Sequence, residues 1–102
     1  MPKPPTTWKQ FERDVADALG GKRRGAYVSD GSGGKTDVEH ERLNIECKLG
    51  KSLGWKKILD AVCQAEVNGD EGKLSIAVIK RVGAPKADTL VCLRLSEFGG
   101  LV

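Results

Sequence analysis

Apolar side chains recur at Trp8, Phe11, Val15 and Leu19, steps of three and four residues that predict an amphipathic helix. Thr7 can cap its start, with Gln10 three residues on to complete a capping box. Gly20 and Gly21 supply the stop. Glu12, Arg13 and Asp14 fall beside or opposite the stripe, and Trp8 belongs to the core side. "AYVS", residues 26–29, is a short strand candidate, and "DGSGGK" after it reads as a mobile loop or hairpin tip. "TDVEHERLNIECK" then predicts two strands with a turn at residues 40–42, which gives His40 a turn role and no catalytic part. In the second strand Leu43, Ile45 and Cys47 face one way and Asn44, Glu46 and Lys48 the other.

A second helix is expected over residues 52–68, where Trp55, Ile58, Leu59, Val62 and Ala65 form one face and "NGD" ends it. "KLSIAVIKRV" has the near-continuous apolar character of a strand covered on both sides. "GAPKAD" makes a turn and "TLVCLRLSEF" a last strand. The order α-β-β-β-α-β-β contains a strand–helix–strand crossover, so it predicts an α/β fold with a mixed β-sheet flanked by helices. One domain over residues 1–102 is expected, with 1–6 as a flexible, Pro-rich lead-in.

Composition narrows the setting without naming a task. No apolar run approaches the ~20 residues of a membrane helix, and no hydrophobic leader opens the chain, so an intracellular (cytoplasmic) protein with no membrane partner is expected. The three cysteines, Cys47, Cys63 and Cys92, are scattered through apolar patterns, which argues for small core residues rather than a zinc site. Net charge is only +3, but its distribution is uneven. Lys22, Arg23 and Arg24 stand together; Lys48, Lys51, Lys56 and Lys57 follow one another without an acid, while acids gather in "TDVEHERLNIE". Cations around an acidic pocket suit a protein that holds a divalent metal against phosphate.

Metal-assisted phosphodiester hydrolysis needs hard oxygen ligands, an ion that polarises the phosphate, and a cation that offsets its charge. Asp37, Glu46 and Lys48 supply these groups if their strands lie side by side. Residues i and i+2 of a strand share a face about 7 Å apart, so Glu46 can bind metal while Lys48 reaches water or phosphate beside it. The main-chain carbonyl of Cys47 is a further possible ligand. The solvated-face alternative, an ion pair across an exposed strand, contributes ~0–1 kcal/mol.

The D…E-x-K pattern of Asp37, Glu46 and Lys48, with this element order, resembles the PD-(D/E)xK nuclease superfamily. The helix "FERDVADAL" and the loop "DGSGGKTD" make the chain most similar to archaeal-type and phage Holliday junction resolvases. Thr36 stands where the superfamily pattern has Pro. The resemblance implies a restriction-endonuclease-like core and a Mg²⁺-dependent endodeoxyribonuclease of DNA recombination and repair, with Mn²⁺ able to substitute. It implies metal ligation by Asp37, Glu46 and Glu12, a catalytic Lys48, and 5′-phosphate and 3′-hydroxyl products. DNA contacts are expected from Arg13, Lys22, Arg23, Arg24, Ser32, Lys35, Lys51 and Lys56, with a looser match at Gln64. Paired symmetric nicks across a junction need two sites, hence a homodimer; Leu95, Phe98, Leu101 and Val102 are either its surface or ordinary core. Two rival expectations stand beside this one: a nuclease of the same fold acting on nicked, flapped or fork DNA, and a non-catalytic DNA-binding or assembly module.

Overall fold

The computed structural model describes residues 7–24 and 36–102. They form an α/β domain in which three helices flank a five-strand mixed sheet of order β1-β2-β3-β4-β5. Helix α1 (Trp8–Leu19) starts on Thr7, whose hydroxyl accepts the Gln10 amide at 3.2 Å. The Gln10 side chain turns forward to donate to Asp14 at 2.9 Å, so the cap is one-sided rather than a reciprocal box. Gly20 ends the helix at φ 74°, a left-handed turn that a residue with a Cβ rarely adopts. Phe11 and Val15 are buried as the periodicity predicts, Leu19 is partly buried, Ala16 joins them, and Trp8 is 47% exposed. Trp55, the first residue of α2, is also exposed rather than core.

Strand β1 (Lys22–Arg23) pairs antiparallel with β2 (Val38–Glu39), which pairs antiparallel with β3 (Leu43–Gly50). The strand and loop expected over residues 26–35 lie outside the described residues, as do residues 1–6. His40 makes the β2–β3 turn: its Nδ1 accepts the amides of Arg42 (2.9 Å) and Leu43 (3.1 Å). Its Nε2, 2.9 Å from the Leu19 carbonyl, donates and ties that turn to the end of α1.

From β3 the chain crosses through α2 (Trp55–Asn68) to β4 (Leu74–Arg81), which lies parallel to β3 in unbroken register from Leu43↔Leu74 to Gly50↔Arg81. Two apolar clusters follow from strand alternation. Ile45, Cys47, Ile76 and Val78 pack under α1 with Phe11 and Val15; Ala77 and Ile79 pack under α2 with Ala61 and Val62. Burial on both faces explains the continuous apolar run of β4.

Strand β5 (Leu90–Cys92) is antiparallel to β4 and far shorter than expected, and the chain then turns into a short helix α3 (Leu95–Gly99). Just past it the Arg94 guanidinium grips Glu66 of α2 with bonds of 2.6 and 3.0 Å. That same guanidinium holds the Glu66 carboxyl below its ordinary range. Leu95, Phe98, Leu101 and Val102 stay exposed and are not core.

Asn44, on the polar face of β3, is buried and stitches the α2–β4 connection. Its Nδ2 donates to the Asp70 carbonyl and the Ser75 hydroxyl, both at 3.0 Å, while its Oδ1 accepts the Asp70 amide at 2.9 Å. Gly69 must be glycine here, because a Cβ would overlap the Asn44 amide group. Asn44→Ala strands these partners, and chemical denaturation is expected to show a loss of about 1–2 kcal/mol.

Candidate active site

Asp37 directly precedes β2, and its backbone amide donates to the Ile45 carbonyl at 3.1 Å. The next bond is not a ladder bond: the Cys47 amide donates 2.8 Å to Asp37 Oδ2. A side-chain oxygen thus takes an N–H that a strand carbonyl would otherwise take. It fixes the Asp37 carboxylate against the β3 backbone beside Glu46. The Arg24 amide, just past β1, is bonded to the Asp37 carbonyl at 3.1 Å and braces the same residue.

Glu12 arrives from α1 and is buried, an unusual state for an acid. Both its oxygens are engaged: Oε2 accepts the Trp8 indole N–H at 2.9 Å, and Oε1 accepts Arg23 Nε at 2.8 Å. Lys48, two residues past Glu46 on the same face of β3, holds its ammonium 5.9 Å from the Trp8 ring centroid, a cation–π distance. Glu12, Asp37, Glu46 and Lys48 are therefore near enough to feel one another electrostatically.

Their titration follows from that closeness. Burial raises the Asp37 carboxyl, the Cys47 amide and a hydrogen bond from Glu46 pull it back, and the Glu12 charge raises it again. Glu46 is pushed up to about 8, first by burial, then by the Asp37 charge, its hydrogen bond with Asp37 and the Glu12 charge, with Lys48 opposing. Two adjacent half-buried carboxylates resist ionising together, so the pair holds a proton above the ordinary carboxylate range. Glu46 Oε1 is buried with no hydrogen-bond partner among the described residues.

A divalent cation would suit the Asp37–Glu46 pair by donor chemistry: hard oxygens, excess negative charge and an orphaned acceptor. Glu12 suits it less well, because Trp8 and Arg23 already occupy its oxygens. Among the described residues no group of three or more His, Cys, Asp or Glu side chains is gathered closely enough to hold a metal. Cys47 is buried in the α1-side cluster, and burial pushes its thiol up, so only its main-chain carbonyl is suited to a hard ion.

The cations expected to meet DNA divide into groups. Arg13, Lys22 and Lys51 are exposed, and Lys56 is exposed but pairs with Asp60 at 3.0 Å. Arg23 is turned inward onto Glu12, and Arg24 is mostly buried, with NH1 3.9 Å from Glu39 and its Nε without a partner. Ser32 and Lys35 lie outside the described residues. Gln64 is exposed on α2 beside Asp60, Cys63 and Val67, and no residue of the acidic group shares that hollow.

Two contributors were hidden in the sequence. Trp8 reads as core by periodicity, yet its indole N–H serves Glu12; the i, i+4 spacing of a donor and an acid was the available signal. Arg23 reads as one of a basic triplet, and only the β1–β2 pairing turns it toward Glu12. Comparison with protein-family models, curated proteins and solved structures finds no match to this chain.

Proposed function

We propose that this chain is a divalent-metal-dependent endodeoxyribonuclease with a restriction-endonuclease-like core, and that it cuts branched DNA at four-way junctions as a homodimer. One observation carries the proposal: the Asp37–Glu46 pair, pinned by the Cys47 amide, with an orphaned Glu46 oxygen and Lys48 beside it. A structural ion pair would need neither two adjoining acids nor an unsatisfied acceptor.

Asp37 and Glu46 would hold Mg²⁺ or Mn²⁺, with the Cys47 carbonyl and Glu12 as further candidates. The ion supplies Lewis-acid polarisation of a phosphoryl oxygen when bound. Lys48 offsets phosphate charge and orients the attacking water. Glu12 positions Lys48 indirectly, through the indole that it fixes. Exposed Arg13, Lys22, Lys51 and Lys56, together with Arg24, Ser32 and Lys35, meet the DNA backbone.

Exposed Leu90, Val91, Leu95, Phe98, Leu101 and Val102 at the β5 end of the sheet offer apolar surface to a second subunit. A synthetic four-way junction incubated with the protein and Mg²⁺ is expected to yield paired nicks, and EDTA to abolish them. Failure to cut with either Mg²⁺ or Mn²⁺ overturns the proposal. Equal cutting of linear duplex keeps the nuclease and removes the junction preference.

A further inference from the structure

Lys80, near the end of β4, is only 4% exposed. Strand alternation sends it to the α1 side of the sheet with Ile76 and Val78, away from the acidic group on β3. Among the described residues its ammonium makes no hydrogen bond or ion pair, and it keeps contact with solvent while its hydrocarbon stem is covered. Lys80 lines a cavity of about 260 Å³ between α1 and the β4–β5 edge. The walls of that cavity are Phe11, Val15, Ala18, Leu19, Val78 and Val91.

The polar groups around the rest of the cavity are Asp14, Lys86 and Thr89. Asp14 is already committed: its Oδ1 accepts from Gln10 at 2.9 Å and lies 3.7 Å from the Lys86 ammonium. Two lysines therefore line the hollow with one carboxylate, which leaves its lining one positive charge in excess.

We propose that this cavity binds a small organic monoanion with an apolar body, its acid group on Lys80 and its hydrocarbon against Phe11, Val15 and Val78. A single negative charge balances the lining; an apolar body fits walls that water and inorganic ions would leave poorly contacted. The site is separate from the proposed nuclease centre and does not depend on it.

Amide chemical shifts of the full chain, titrated with 2-naphthoate and with neutral 2-naphthamide, test the assignment. Naphthoate is expected to shift the amides of Ala18, Lys80, Thr89 and Val91 and to bind at least about tenfold more tightly than naphthamide, the worth of about 1.4 kcal/mol. Lys80→Met is expected to remove that preference while leaving naphthamide affinity within about threefold, because methionine keeps the apolar reach without the charge. Equal affinity of the two probes, no saturable shift, or shifts centred elsewhere overturns the proposal. So does a folded Lys80→Met that keeps the preference. Should that variant not fold, the comparison of probes on the unaltered chain decides alone.

Discussion

Asp37→Asn is expected to lower junction cleavage by about 10³-fold, some 4 kcal/mol of activation free energy, while leaving the protein folded and at least as stable at pH 8. The combination is what gives the experiment its force. The Asp37 carboxylate has a structural task, accepting the Cys47 amide at 2.8 Å, and an asparagine carbonyl performs it equally well. What asparagine lacks is the charge. Removing it withdraws the second-largest influence that pushes Glu46 upward, so strain between the two acids falls. If Asp37 serves only the fold, the substitution is silent in both assays. If it holds a cation against phosphate, cleavage collapses while the melting temperature holds or rises. DNA binding in EDTA, measured by fluorescence anisotropy, should stay within about threefold, since phosphate contacts supply most of that affinity. Cleavage within tenfold of the unaltered protein removes Asp37 from the reaction.

The residues of this centre were legible because strand chemistry is local. Alternation along β3 places Glu46 with Lys48, and a turn of fitting length sets Asp37 opposite; neither inference needs knowledge of what packs elsewhere. The long helices and the doubly buried β4 were legible for the same reason, their periodicity being a direct image of burial. Where tertiary contacts decide, the pattern misleads. Trp8 and Trp55 occupy apolar positions at the first turns of their helices, and both stay exposed. The last strand stops early, and just past it Arg94 finds Glu66 on α2, 28 positions away, a pairing that no window of sequence displays. Lys80 is the sharpest case. It lies inside the run read as a strand covered on both sides, yet lysine is rarely buried, and only the packing of α1 and the β4–β5 edge covers its stem.

Glu46→Gln carries the largest expected effect on stability, with a pH signature that a packing change cannot imitate. The folded Glu46 carboxyl titrates near 8 against an ordinary 4.5, so between those values the folded chain holds a proton that the unfolded chain has released. The protonated pair's contribution is complete below pH 4.5 and is lost as pH rises through about 8. Asp37, raised in the same direction, steepens the decline. Allowing for solvent screening of a half-buried group, the penalty at alkaline pH is about 2–3 kcal/mol. Glutamine keeps a donor for Asp37 and never ionises. In EDTA, Glu46→Gln is expected to melt about 10–15 °C above the unaltered protein at pH 8.5 and within about 2 °C of it at pH 4.5. Mg²⁺ should narrow the gap from the other side, raising the melting temperature of the unaltered protein at pH 8.5 and leaving the variant unmoved, because a cation between two carboxylates takes over the proton's role. Parallel melting curves across this range would show that Asp37 and Glu46 do not compete for one positive charge, and the case for a metal between them would go with it.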